Sequence, residues 1–353
     1  MKIAIDVSPL RTGNYLSHRV RGTGFYLTNL MQNLKKYYPE NEYIEFVSED
    51  GIPKADVVHF PYFELFFNTL PGKMPENSIV TVHDLTPLVF PDNFPAGIRG
   101  KLKWLGQKNK LRKSSAIITD SIASKNDITK YTGINPSKIE VIYLAASEEY
   151  KPIAKGEWEK EFREQYSLPE KFALYVGDAT WNKNLPNMIK AVTQAKISLV
   201  IVGEAFKNED IDKSNPWTSD LSQAQSLAKD NPNIISVGFV PSGDLVKFYN
   251  TAQFLLMPSR YEGFGLPLVE AMQSGCPVIT SNRGSIKEIA GDSALYVNPE
   301  NVNSVKDGIE KLNKGSSLCS ELSKKGVSVA RNFSWEKTAE STMNVYRKVF
   351  END

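Results

Sequence analysis

Two glutamates eight residues apart, Glu262 and Glu270, frame the segment Pro258-Ser-Arg-Tyr-Glu-Gly-Phe-Gly-Leu-Pro-Leu-Val-Glu-Ala-Met272. Carboxylates accept hydrogen bonds from paired hydroxyls, so two of them along one segment suit a hydroxyl-rich ligand. Gly263 and Gly265 permit a tight turn and close approach of the backbone to that ligand. Pro267 fits the first turn of a helix, where its missing N–H costs nothing. Ser274-Gly275 is a helix stop signal, and the apolar run Phe254 to Met257 reads as a preceding strand. The segment therefore predicts strand, turn and helix, with N–H groups and a helix N-terminus at the carboxyl end of a strand. Such a place binds anions, phosphates above all. Glu262 lies in the loop and Glu270 about one turn inside the helix, so they face different parts of one extended ligand.

Other residues with chemical potential are more scattered. His83 follows the apolar run Ile79 to Val82, with Asp84 beside it as a pairing partner or as a cap for the next segment. Asp210-Ile-Asp212 has the spacing of a metal-binding Asp-x-Asp, but no strand precedes it, and it reads as chance. The chain has three histidines, which argues against a histidine-rich metal site. The stretch Lys101 to Lys113 is strongly basic, with Trp104, Leu105 and Leu111 interspersed. It reads as an amphipathic helix with a solvated basic face, or as a contact with an anionic membrane or phosphate-bearing lipid carrier. Phe60, Tyr62, Phe63, Phe66 and Phe67 form an aromatic cluster, part core and part platform on which a sugar acceptor can stack.

The elements that position these residues repeat one grammar. Short apolar strands at Lys2 to Val7, Tyr43 to Val47, Val57 to Phe60, Ile79 to Val82 and Ala116 to Thr119 alternate with helical stretches. The pattern restarts at Phe172 to Gly177 and runs through Ser198 to Gly203, Ile234 to Val237, Phe254 to Met257 and Val278 to Thr280. Alternation of this kind predicts parallel sheets covered on both faces. At 353 residues the chain suits two domains. The expected division is 1–165 and 166–334, with the boundary in the charged stretch Pro152 to Pro169. A helix over 335–353 is expected to cross back to the first domain. Hydrophobic residues at 41% and charged residues at 24% are ordinary for a soluble protein. A net charge of +1 gives no argument for nucleic acid. Two cysteines outside any CxxC pair fit a reducing cytoplasm, and no run has the length of a membrane span.

The Glu-x7-Glu element with its embedded Gly-Phe-Gly-Leu-Pro resembles the signature of retaining glycosyltransferases of family 4, which have the GT-B fold. Further segments resemble the same family in the same order. They are Arg21-Gly-Thr-Gly-Phe-Tyr26, Val82-His-Asp-Leu-Thr-Pro-Leu-Val-Phe-Pro91, Ile117-Ile-Thr-Asp-Ser-Ile-Ala-Ser124 and Tyr175-Val-Gly-Asp-Ala-Thr-Trp-Asn-Lys183. The resemblance implies two Rossmann-like α/β domains facing each other across a cleft, and transfer of a hexose from a nucleoside diphosphate sugar. Mannose or glucose is the expected sugar, and a glycan or lipid-linked sugar the acceptor. It implies that Glu270 binds the ribose and that Glu262 contacts the transferred sugar. The N–H groups of Gly263, Phe264, Gly265 and Leu266 would hold sugar hydroxyls and the diphosphate. Lys183 would neutralise the leaving diphosphate, and His83 would lie near the sugar. Gly22 and Gly24, in a loop made basic by Arg11, Arg19 and Arg21, would let the backbone approach the diphosphate. The family often has Arg where this chain has Asn182, so another cation is expected to help. No metal is expected. The other readings are a sugar-nucleotide epimerase of similar fold and a non-catalytic sugar-nucleotide-binding protein.

Overall fold

A computed structural model describes residues 1–10, 20–208, 211–212 and 215–351. The chain divides into two units, one of residues 1–144 with 334–353 and the other of residues 145–333. In chain order the first unit contains β1 (Lys2–Asp6), α1 (Val20–Tyr37), β2 (Glu42–Phe46), β3 (Val57–Phe60), β4 (Ser78–Thr81), α2 (Thr86–Val89), α3 (Gly97–Arg112), β5 (Ala116–Thr119), α4 (Ile122–Thr132) and β6 (Ile139–Val141). The second contains α5 (Glu157–Gln165), β7 (Phe172–Val176), α6 (Leu185–Ala195), β8 (Ser198–Val202), α7 (Ser219–Ala228), β9 (Ile234–Gly238), α8 (Ser242–Thr251), β10 (Phe254–Met257), α9 (Leu266–Gln273), β11 (Val278–Thr280), α10 (Ile286–Ala290), β12 (Leu295–Tyr296), α11 (Val302–Lys314) and α12 (Ser316–Ala330). The last helix, α13 (Trp335–Glu351), belongs to the first unit.

Each unit holds a six-stranded sheet, ordered β2-β1-β3-β4-β5-β6 in the first and β12-β11-β10-β7-β8-β9 in the second. Every ladder is parallel. The central strands are buried along their whole length, as runs such as Val57-Val-His-Phe60 and Phe254-Leu-Leu-Met257 require when helices cover both faces. Strand order in the second sheet reverses between β7 and β10. Open α/β sheets bind ligands at such a reversal, beyond the carboxyl ends of the two strands.

Helix α13 is tied to the first sheet by a buried polar chain. His59 Nδ1 lies 2.7 Å from the Tyr346 hydroxyl and Nε2 lies 2.8 Å from Thr81 Oγ1, which is 3.1 Å from the Tyr26 hydroxyl. Burial pulls the His59 pKa down to about 3, so the ring is neutral and both nitrogens serve as hydrogen-bond partners.

Two readings of the sequence need correction. The boundary lies near residue 144, not 165, because the charged stretch packs on the second unit instead of linking. Ile153 N–H donates to Asn250 Oδ1, Phe162 packs edge-on against Phe248, and the Tyr166 hydroxyl donates to Asp244. Helix α1 begins at Val20, so Gly22 and Gly24 sit in its first turns and not in a loop. The buried stripe of Tyr26, Leu27, Leu30 and Leu34 holds the helix despite the poor helix propensity of glycine. Arg11, Arg19 and Asp210 lie outside the described residues, as does the side chain of Arg21.

Candidate functional site

The loops after β7 and β10 meet at the reversal in the second sheet. After β7 the chain makes a short turn through Trp181–Lys183, and Asn184 then adopts a left-handed conformation, φ 63°, to start α6. Asparagine tolerates that region better than other residues with a Cβ. The Asn184 side chain is fully buried and donates to the carbonyls of Pro258 and Pro299 at 2.9 and 2.7 Å. Asn182 fastens the loops a second time: Nδ2 donates to the Tyr261 carbonyl, and its own carbonyl accepts from Arg260 N–H at 2.7 Å. Arg260 is no surface residue. Its guanidinium stacks over the Trp181 ring and binds Asp220, Glu300 and the Trp181 carbonyl, so it acts as a brace and not as a spare cation.

These fastenings place Lys183 against Glu262. The ammonium lies 2.9 Å from Oε1 and 2.8 Å from Oε2 of the carboxylate, and Ser259 Oγ donates to Oε1 at 2.7 Å. The Glu262 side chain is 6% exposed and that of Lys183 is 22%. A buried carboxylate of this kind needs a partner, and Lys183 supplies it. The backbone of Glu262 is fixed from the loop after β11. Ser285 N–H and Oγ both donate to its carbonyl, and Ser285 Oγ also reaches the Phe264 carbonyl. Gly284 lies so close that a Cβ there would stand 2.4 Å from the Glu262 carbonyl oxygen, and its φ of +59° excludes most side chains as well.

Gly265 takes φ 90° and hands the chain to α9 at Leu266, with Pro267 in the first turn. The Phe264 side chain is core, edge-on to Phe333, so only its backbone can face a ligand. One turn on, Glu270 is buried in different surroundings. The Tyr249 hydroxyl donates to Oε2 at 2.8 Å, and Tyr150 stands beside Tyr249. Burial pushes the Glu270 carboxyl up to about 7, against the opposing pull of the Tyr249 and Tyr150 hydroxyls. The two glutamates thus differ in kind: Glu262 is neutralised by a cation, Glu270 is held by phenols and poised to titrate.

In the first unit His83 follows β4 and Asp120 follows β5, the neighbouring strand. His83 Nδ1 lies 2.7 Å from Asp120 Oδ2, while Asp84 accepts from Thr86 N–H. The Tyr26 ring of α1 packs edge-on against the imidazole at 4.9 Å. Gly22 and Gly24 therefore begin the helix that packs on His83. Nε2 of His83 is buried and makes no hydrogen bond among the described residues.

Residues 157–329 match the model of glycosyl transferases group 1, and residues 10–149 match glycosyltransferase family 4. The chain belongs to the group 1 glycosyltransferases. It is 27% identical over 302 residues to O-antigen chain mannosyltransferase B of Escherichia coli, covering 83% of this transferase and 74% of that one. It is 24% identical over 284 residues to the serotype-specific mannosyltransferase WbdA of the same organism, covering 79% of this chain but 34% of that longer protein. Among solved structures, a sucrose-phosphate synthase from Thermosynechococcus elongatus superposes with TM-score 0.73 at 17% identity, over the full length of both chains. HepE of Anabaena in complex with UDP and glucose superposes with TM-score 0.73 at 15% identity, covering 99% of this chain and 100% of that one. The fold is that of GT-B glycosyltransferases.

In the transferase Lys183, Glu262 and Glu270 all lie in the second unit, with Asn182 beside Lys183, while His83, Gly22 and Gly24 lie in the first. Asp212 is exposed. Its carbonyl accepts from Asn215 N–H and the Thr218 hydroxyl. Among the described residues no group of three or more His, Cys, Asp or Glu side chains could hold a metal ion. Asp120, Asn184, Tyr249, Gly284 and Ser285 were not expected from sequence. Each acts through a contact distant along the chain, such as 37 residues for Asp120 with His83, and no local pattern marks it.

The Asp120–His83 contact has a measurable consequence. Burial alone would lower the His83 pKa, but the Asp120 carboxylate, with smaller help from Asp84 and Glu64, holds it above the ordinary value. The sign follows: His83 keeps its proton to higher pH than a free histidine, and in Asp120→Asn it should lose that proton at lower pH. A ring-nitrogen NMR titration reads this directly in a chain with three histidines. An unchanged His83 titration in the variant would show that the carboxylate does not set the imidazole's charge.

Proposed function

We propose that the transferase moves a hexose, mannose in the first instance, from a nucleoside diphosphate sugar to a glycan or lipid-linked acceptor in the cytoplasm, with retention of the anomeric configuration. The observation that carries this reading is the Lys183–Glu262 pair set at the β7/β10 reversal, with Glu270 one turn along α9. An incoming diphosphate competes with Glu262 for the Lys183 ammonium. The cation then stabilises charge that develops on the diphosphate as the glycosidic bond breaks, which favours the transition state over the ground state. Glu262, released from the ion pair, accepts hydrogen bonds from sugar hydroxyls, and Glu270 does so from the ribose. Support for mannose comes from the names of the two Escherichia coli relatives. Retention is an expectation of the family resemblance.

In this proposal the cationic work is done by Lys183 and the α9 N-terminus, with no metal. Purified protein incubated with GDP-mannose, UDP-glucose and other nucleotide sugars should release nucleoside diphosphate from one of them, at an unchanged rate in excess chelator. With an acceptor supplied, the product of an α donor should be α by NMR. Activity that vanishes in chelator and returns with Mn²⁺ or Mg²⁺ would overturn the metal-free mechanism, and a β product would overturn retention.

A further inference from the structure

Helix α3 has an inner face and an outer face of opposite use. Gly100, Trp104, Gln107 and Leu111, spaced at helical intervals, face the first unit. Gly100 packs on Phe66, Gln107 Nε2 donates to Thr69 Oγ1, and Trp104 and Leu111 join the core. The opposite stripe is Ile98, Leu102 and Leu105, which are 81%, 64% and 57% exposed. These positions recur at i, i+4 and i+7 and so form one line on the helix. Cations border the line on both sides, Arg99 and Lys103 on one and Lys101, Lys108 and Arg112 on the other, and Lys113 follows the helix. No Asp or Glu occurs from Asn93 to Thr119.

A solvated helix face has no use for three large apolar side chains in a row, and an ordinary protein partner has no use for flanks of a single sign. Apolar centre and cationic borders together match one surface, a bilayer with anionic headgroups. Leucine and isoleucine enter the acyl boundary while lysine and arginine stems reach back to the phosphates. Among the described residues no helix is long and apolar enough to cross a membrane, so the contact is one of lying on the surface. We infer that the outer face of α3 docks the protein on anionic lipid. This inference rests on α3 alone and not on the donor sugar or on retention.

Flotation of the full chain with vesicles tests it. The protein should bind vesicles enriched in phosphatidylglycerol, bind phosphatidylcholine vesicles weakly or not at all, and release as salt rises. Lys101→Gln and Lys103→Gln should each weaken binding about fivefold. Leu102→Ser with Leu105→Ser should weaken it about tenfold or more. Both kinds of variant should keep wild-type circular dichroism and wild-type nucleoside diphosphate affinity, which separates this claim from the donor site. Equal binding to neutral and anionic vesicles, or binding indifferent to the leucines, would overturn the inference. So would a dimer in sedimentation that the leucine substitutions dissolve, since the occupant would then be a second copy.

Discussion

Lys183→Ala should lower turnover by roughly 10²- to 10³-fold, the equivalent of about 2.7–4 kcal/mol for one contact to developing anionic charge, while nucleoside affinity changes far less. The same substitution should also weaken the fold, because it strands the Glu262 carboxylate, 6% exposed, without its cation. Breaking a buried pair costs about 3–5 kcal/mol, and the partial exposure of Lys183 puts this case at or below the low end. The double variant Lys183→Ala/Glu262→Gln separates the two effects. An amide at 262 needs no cation, so the double variant should regain most of the lost stability while turnover stays low. Denaturant unfolding and initial rates on the three proteins check this. Near-normal turnover in Lys183→Ala would mean that another group meets the diphosphate. Stability unchanged in Lys183→Ala would mean that the ion pair does not matter to the fold.

What the sequence revealed and concealed follows from the range of the interactions. Central strands such as Phe254–Met257 are continuous apolar runs, and burial on both faces makes them legible. The edge strands Ile139–Val141 and Leu295–Tyr296 are three and two residues long, too short to carry a period. Gly22 and Gly24 read as a loop in the sequence, because the buried side chains that hold them in α1 come after them. The stretch from 152 to 169 looked like a linker by its charge, yet Phe162 and Tyr166 anchor it on α8. Within the site, Glu262, Glu270 and Lys183 stood out because turn glycines, Pro267 and strand ends lie beside them. That Lys183 and Glu262 form an ion pair did not, since 79 residues separate them. Gly284 stood out least. Its need for a positive φ and its closeness to the Glu262 carbonyl exist only in the folded chain.

The division of labour between the glutamates gives the second large effect. Glu270→Gln removes a carboxylate assigned to ribose hydroxyls. A hydrogen bond to a charged group contributes about 1.5–3 kcal/mol, so affinity for a nucleoside diphosphate should fall roughly 10- to 100-fold. Glu262→Gln removes the carboxylate that competes with the diphosphate for Lys183, so nucleoside diphosphate affinity should hold or rise while transfer falls. The Glu270 pKa, raised by burial to about 7, adds a pH signature. Above that pH the carboxylate is ionised and accepts both hydroxyls. Below it the wild-type group is protonated and resembles the glutamine of the variant. The affinity gap between wild type and Glu270→Gln should therefore be widest above pH 7 and close as pH falls, by at most about tenfold per unit. Taking the ratio of the two proteins cancels the titration of the ligand's own phosphate.

Calorimetric titration of GDP and UDP into wild type, Glu262→Gln and Glu270→Gln on both sides of pH 7 tests the account most directly. The prediction is a loss confined to Glu270→Gln, widest above pH 7 and shrinking as pH falls below it. Equal losses in the two variants, or a loss in Glu262→Gln alone, would contradict the placement of the nucleoside beside α9.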